Sequence, residues 1–179
     1  MLKILFYFSM LLISNLNYII MRKVILLSIF GIFTMFSVNA QGAHGGVNVG
    51  FPLGDIGDWK FAVQVDFGHD WEVSENLNVG VATGYGHIFG GDFMGISLSD
   101  YQYIPLAGTA SLEVGTGFHV DADLGYTIGV GDVSGGGFYY RPGVSYDVSE
   151  AFAVKVNYTG ISDDGFSATT FTVGTRFRF

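Results

Sequence analysis

From Gln41 to the last residue the chain shows no helical periodicity, and apolar side chains recur at every second position. The final segment, Ser167 to Phe179 (SATTFTVGTRFRF), puts Thr169, Phe171, Val173, Thr175, Phe177 and Phe179 on one face. Ala168, Thr170, Thr172, Gly174, Arg176 and Arg178 fall on the other. Side chains alternate across a strand, so one surface is apolar and the other carries two arginines. Seven earlier segments repeat the division. The first carries Val47, Val49 and Phe51 on its apolar face, and the second Phe61, Val63, Val65, Phe67 and Trp71. The third sets Leu77, Val79, Val81 and Tyr85 against Asn78, Gly80, Ala82, Gly84 and Gly86. The fourth, Tyr101 to Leu112, has Ile104, Leu106 and Leu112 as its outward set. The fifth is the clearest, with Phe118, Val120, Ala122, Leu124, Tyr126, Ile128 and Val130 against His119, Asp121, Asp123, Gly125, Thr127 and Gly129. The sixth sets Tyr140, Val144, Tyr146 and Val148 against Arg141, Gly143, Ser145 and Asp147. The seventh sets Phe152, Val154, Val156 and Tyr158 against Lys155, Asn157 and Thr159.

The connections alternate in character. Ser74-Glu75-Asn76, Val114-Gly115-Thr116 and Ser149-Glu150 are tight, whereas Asp55–Asp58, Gly90–Asp100, Gly131–Gly137 and Ser162–Gly165 are longer, glycine-rich and acidic. Lipid offers no water to unpaired backbone groups, so a sheet that meets lipid must close on itself. The pattern predicts an all-β fold, an eight-stranded antiparallel up-and-down transmembrane barrel over residues 41–179. With an even strand number both termini lie at the short-turn end. Aromatic residues near segment ends are expected as two interfacial girdles. Trp59, Phe89, Tyr101, Tyr103, Phe138 and Tyr139 lie towards the loops; Trp71, Phe118, Tyr146, Phe152, Phe177 and Phe179 lie towards the turns.

Residues 21–40 (MRKVILLSIFGIFTMFSVNA) read as a signal peptide, with a charged start, an apolar stretch and Val38-Asn39-Ala40 before the cut. Residues 1–20 are apolar too. They read as an upstream extension, with translation from Met21, or as part of a longer leader or two-helix anchor. Without residues 1–40 the chain keeps five basic groups and sixteen acids, so its net charge is 5 − 16 = −11. An acidic body with no basic patch argues against nucleic-acid binding. No cysteine is present, which removes disulfides and thiol chemistry.

Strand direction gives each inward residue a height. Arg176, Arg178 and Lys155 share the lower half of the lumen with Asp70, Asp121, Asp123, Asp147 and His119, and these charges are expected to pair and block the base. Eight strands leave an interior about wide enough for side chains, so no continuous pore is expected. Above, Gly84, Gly86, Gly125, Thr127, Gly129 and Gly143 are small, with Lys60 and Arg141 as upper cations. That suggests a hydrated vestibule, or else small residues that only permit tight curvature.

No catalytic, cofactor-binding or metal site is expected. His44, His69, His87 and His119 fall on different strands and faces and give no zinc spacing. Asp121-Ala122-Asp123-Leu124-Gly125 lacks the ligand spacing and closing glutamate of a calcium loop and reads as a strand's polar face. Asn157-Tyr158-Thr159 lies inside a strand, which argues against glycosylation. Gly131–Gly137 opens no helix that could cradle phosphate. His87, Asp92, Ser97 and Ser99 form the one arrangement that could serve a lipid-modifying enzyme, but no nucleophile–base spacing is present.

The Ala40-Gln41 junction, Tyr103-Ile104-Pro105-Leu106 and the terminal Arg176-Phe177-Arg178-Phe179 resemble the eight-stranded OmpA/OmpX-like outer-membrane barrels. They also resemble the small porin-like "outer membrane protein beta-barrel domain" family common in Bacteroidetes. The likeness covers about residues 43–179. It implies a Gram-negative cell outer membrane, contact with outer-membrane lipids and lipopolysaccharide, and recognition of Phe179 by the barrel-assembly machinery. The expected role is non-enzymatic, in envelope structure or surface interaction, as a monomer. A narrow channel for small solutes is the alternative, and a lipid-modifying enzyme comes third. A soluble barrel would invert every side chain, with aliphatics inside and charges outside.

Overall fold

A computed structural model describes residues 42–53, 60–93, 96–97, 99–131, 135–163 and 166–179. The leader and Trp59 lie outside this set. Strands are β1 (Ala43–Leu53), β2 (Ala62–Ser74), β3 (Leu77–Ile88), β4 (Asp92–Phe93), β5 (Ile96–Ser97), β6 (Tyr101–Gly115), β7 (Phe118–Val130), β8 (Gly136–Ser149), β9 (Phe152–Asp163) and β10 (Phe166–Arg178). Eight of them close into one barrel in the order β1-β10-β9-β8-β7-β6-β3-β2, and β4 and β5 form a small hairpin in the β3–β6 connection. Every barrel pair is antiparallel. Among the described residues there is no helix.

The three tight turns are present, at Glu75-Asn76, Thr116-Gly117 and Glu150-Ala151, the last two one or two residues later than the sequence predicts because β6 runs on to Gly115 and β8 to Ser149. Gly117 has φ +74°, a conformation that glycine adopts without strain. β1 and β10 meet at the turn side, with His44 opposite Arg178 and the Phe179 amide donating to the Ala43 carbonyl. Both ends of the barrel sequence therefore sit beside the turns, as even strand number requires.

Large apolar side chains cover the exterior: Leu124 is 59 % exposed, Val144 52 % and Phe67 50 %. Lysine, arginine and asparagine occupy the axis, where Asn48, Arg141, Lys155, Asn157 and Arg176 are all buried. A barrel with this orientation hides charge and shows aliphatic surface, which is stable against lipid and not against water. The inverted, soluble arrangement does not occur. On the outer wall Phe152 packs against Phe177, Phe118 against Tyr146 and Phe51 against Phe171, with centroids 4.6–5.8 Å apart. These cross-strand pairs mark the two ends of the apolar band.

Three of the expected girdle residues are not on the outside. Tyr101, Tyr103 and Tyr139 point into the lumen and are almost fully buried. They share the parity of inward positions, because Ile104, Leu106 and Tyr140 face outward beside them. Alternation overrides the aromatic preference for an interface.

Candidate functional site

Among the described residues most of the buried polar side chains line the lumen, and they are arranged in layers. At the loop side Ile88, Tyr101, Tyr103, Tyr139 and Ile161 join Ala62, Ala107 and Ala168 in an apolar cluster inside the barrel. Gly86 makes room for it. A Cβ there would meet the Tyr103 ring at 2.1 Å, so the missing side chain is the socket for that ring. The small residues fit the close-approach reading better than a vestibule: the Tyr103 ring fills the space at Gly86, and a Cβ at Gly84 or Gly125 would run into the backbone of the neighbouring strand.

Below the aromatics lies a hydrogen-bonded strut. Tyr103 Oη donates to Gln64 Oε1 (2.9 Å), and Gln64 Nε2 donates to Asp66 Oδ1 (2.7 Å) and to Tyr139 Oη (3.2 Å). Asp66 Oδ2 also accepts from Asn48 Nδ2 (2.7 Å) and from Arg141 Nη1 (2.8 Å). Arg141 Nε donates to Asp123 Oδ2 at 2.7 Å, and Asn157 Nδ2 donates to Asn48 Oδ1 at 3.1 Å. Members come from β1, β2, β6, β7, β8 and β9, so the strut ties walls that are not adjacent in the sheet. Charge-assisted bonds of this length are the strong class, and here they lie out of water.

The sequence places Arg141 with Lys60 as an upper cation. It is instead only 4 % exposed, at mid-lumen, and its partners are Asp66 and Asp123. Asp123 therefore bonds to Arg141 while lining the same small cavity as Lys155 and Arg176. Asp66 carries the centre of the strut and was absent from the expected charge set. Its inward parity on β2, opposite Phe67 and Val65, was the available signal.

The lower lumen pairs partly as expected. Arg178 Nη2 contacts Asp147 Oδ1 at 2.7 Å, and His119 Nε2 lies 3.1 Å from the other Asp147 oxygen. Arg176 Nη1 approaches Asp121 at 3.5 Å, beyond a good hydrogen bond. His44 Nδ1 lies 3.2 Å from Asp70, which also accepts from Thr109. Lys155 is buried yet joins no ion pair among the described residues, which corrects the expectation that all lower cations pair. Arg178 at 32 % exposure and Asp147 at 25 % make this turn-side mouth the wetter end of the lumen.

His87 lies on the outer wall near the loop side. Its Nε2 is 2.8 Å from Asp100 Oδ2, and Asp100 Oδ1 accepts from the Gly90 amide at 2.9 Å. The bond from Gly90, then that from His87, holds the Asp100 carboxyl below its ordinary value of 3.8. The imidazole also stacks on Phe89, which stacks on Phe61, with centroids 3.9 and 4.1 Å apart. The arrangement clasps the base of the β3–β6 loop. It does not bring His87 to Ser99 in any contact, and the side chains of Asp92 and Ser97 lie outside the described residues. The four histidines are dispersed: three each face one aspartate, and His69 sets its edge against Trp71. Among the described residues no three histidine or carboxylate groups converge as metal ligands. Asp121 and Asp123 point inward with Ala122 outward, and Asn157 and Thr159 are likewise inward.

The molecule thus belongs to the class of eight-stranded barrels with an apolar exterior and an ionic axis. Solved structures share that fold. The outer-membrane protein Ail of Yersinia pestis, in phospholipid nanodiscs, aligns with a TM-score of 0.54 at 13% identity, over 78% of this chain and 100% of its own. The outer-membrane enzyme PagL aligns at 0.56 with 16% identity, over 76% and 99% of the two chains. The N-terminal barrel domain of Pseudomonas aeruginosa OprF aligns at 0.52 with 16% identity, over 78% and 98%. No protein-family model and no curated protein matches the chain.

Proposed function

We propose that this protein is a non-enzymatic integral barrel of the Gram-negative outer membrane, acting in envelope structure or surface contact and not as a pore. The observation that carries the reading is the closed axis. The Arg141–Asp66–Asp123 strut crosses the lumen beneath the tyrosine layer, and a cavity of about 10 Å³ beside it has room for one water. Conduction would need several buried charge pairs to break together, each expensive out of water.

The lipid-facing band anchors the molecule among outer-membrane lipids and lipopolysaccharide, and the long connections form its contact surface. Those connections (54–60, 90–100, 131–135 and 162–165) carry seven aspartates against one lysine. Ail has been solved in complex with the heparin analogue sucrose octasulfate. A polyanion of that kind is disfavoured here by charge, and a cationic or neutral partner fits better. Phe179, 71 % exposed beside the β1–β10 junction, would be the residue that the barrel-assembly machinery reads. A signal peptide over residues 21–40 and kinship with the OmpA/OmpX-like or Bacteroidetes barrels complete the proposal.

Fractionation, heat-modifiable gel mobility and planar-bilayer recording test it together. Outer-membrane recovery, a mobility shift on boiling and no steady single-channel steps are expected. Steady steps would sink the plugged-lumen reading in favour of a narrow solute channel. A mass change in lipopolysaccharide incubated with purified protein, lost in His87→Ala, would overturn the non-enzymatic reading.

A further inference from the structure

All three prolines of the chain stand inside strands: Pro52 in β1, Pro105 in β6 and Pro142 in β8. Proline has no amide hydrogen, so it interrupts a ladder wherever that hydrogen should point. Pro52 lies on the part of β1 beyond Gly50, its last partner residue for β2, and its pairing with Thr170 on β10 is intact. The other two break the barrel wall. β6 pairs continuously with β7 through Pro105, but with β3 the register passes from Thr83–Leu106 to Gly86–Tyr103 and skips the pairs between. β8 pairs continuously with β7 through Pro142, but with β9 it passes from Tyr140–Gly160 to Gly143–Asn157. In each case the missing hydrogen points across the broken seam. Lipid supplies no water to the carbonyl left behind, so each break is costly.

The two breaks are built alike. Each proline follows a tyrosine by two residues, in Tyr103-Ile104-Pro105 and Tyr140-Arg141-Pro142. Each tyrosine stands opposite a glycine on the far strand, Gly86 or Gly160, and its ring fills the space where a glycine Cβ would be. The ring thus bridges the seam beside the lost bond.

The breaks differ in what supports them. At β3–β6 the ring lies in the lumen, where Tyr103 bonds to Gln64, and on the outer wall Tyr85 of β3 donates to Gln102 of β6. Both faces of that seam are stitched. At β8–β9 the ring lies on the outer wall, with the Tyr158 ring 6.3 Å away. On the lumen face Arg141 gives its bonds to Asp66 and Asp123, and the Thr159 hydroxyl is buried without a hydrogen-bond partner. β1 and β10 also skip pairs, at Gly46 and Val47, but both strands carry amide hydrogens there, and a Cβ on Gly46 would strike the Thr175 carbonyl.

We infer that the β8–β9 seam at Pro142 is the place where the barrel wall opens locally, a flexible joint held shut from the lipid side by the Tyr140 ring on Gly160. Such an opening needs no global unfolding, because the β7–β8 and β9–β10 ladders on either side are unbroken at this height.

Native-state hydrogen exchange on the full barrel in phospholipid nanodiscs, resolved by residue, tests this. The amides of Tyr158 and Gly160 are expected to exchange about tenfold faster than those of Asp123 and Gly125 on the intact β7–β8 ladder, and faster than that of Gly86 at the other proline break. Pro142→Ala restores the donor and should slow Tyr158 and Gly160 to the β7–β8 rate. Tyr140→Leu removes the stitch and should speed them by about another tenfold while Gly86 stays unchanged. The wild-type and Pro142→Ala measurements decide the matter even where Tyr140→Leu does not fold. Equal protection at Gly160 and Gly125, a Gly86 amide as fast as Gly160, or a Tyr158 rate that Pro142→Ala does not lower would each overturn the inference.

Discussion

Replacing Arg141 by methionine is the sharpest probe of the strut. The substitution keeps most of the side-chain length but deletes the Nε bond to Asp123 at 2.7 Å and the Nη1 bond to Asp66 at 2.8 Å. Two carboxylates then remain at the axis, each nearly inaccessible to water, without the cation that neutralised them. Removing one partner of a buried pair costs about 3–5 kcal/mol, because the surviving charge keeps its desolvation penalty. Against a total of roughly 5–15 kcal/mol for a domain, that loss is large. Asp66→Asn on its own should cost less, since Arg141 keeps Asp123. Combining Arg141→Met with Asp66→Asn and Asp123→Asn should recover most of the loss, because no unpaired charge is left. Urea unfolding in lipid vesicles, followed by tryptophan fluorescence, measures each variant, and a double-mutant cycle of Arg141 with Asp66 isolates the coupling. A single variant within about 1 kcal/mol of wild type, or a triple variant no better than the single one, would refute the reasoning.

Other expectations test separate layers. Gly86→Ala should destabilise by about 1–3 kcal/mol through collision with the Tyr103 ring, whereas Gly108→Ala, whose nearest neighbour would be 3.9 Å away, should stay within about 0.5 kcal/mol by the same urea assay. Leu124→Arg, midway along β7 on the outer wall, should cost about 2–4 kcal/mol in lipid vesicles; a neutral result there would contradict the membrane orientation. Asp100 has a depressed folded value, so its clasp is fully present above pH 3.8 and fades as pH falls through that lower value. Protection of the Gly90 amide from hydrogen exchange should therefore hold at neutral pH, weaken in strong acid, and be reduced at all pH values in Asp100→Ala.

Most of the wall could be read from order alone. The even parity of Ile104, Leu106, Tyr140 and Val144 and the three tight turns gave strand number, direction and the side facing lipid. Residue type misleads where it conflicts with that period: Tyr101, Tyr103 and Tyr139 suit an interface by type, but their parity is inward and they are buried. Asp123 and Arg141 are direct cross-strand partners, yet their register is set across the long 131–135 connection and has no local signature.

Alternation within a strand is a covalent consequence of the extended backbone, so the sequence by itself determined which residues face out and which face in. What stands opposite what across the axis follows from barrel closure and from the stagger between strands, and only the tertiary structure decided that. Asp66 and Arg141, 75 positions apart on strands that never touch, meet because eight staggered strands bring their inward side chains to one height. The same closure gave Arg141 its two carboxylates, Asp66 and Asp123.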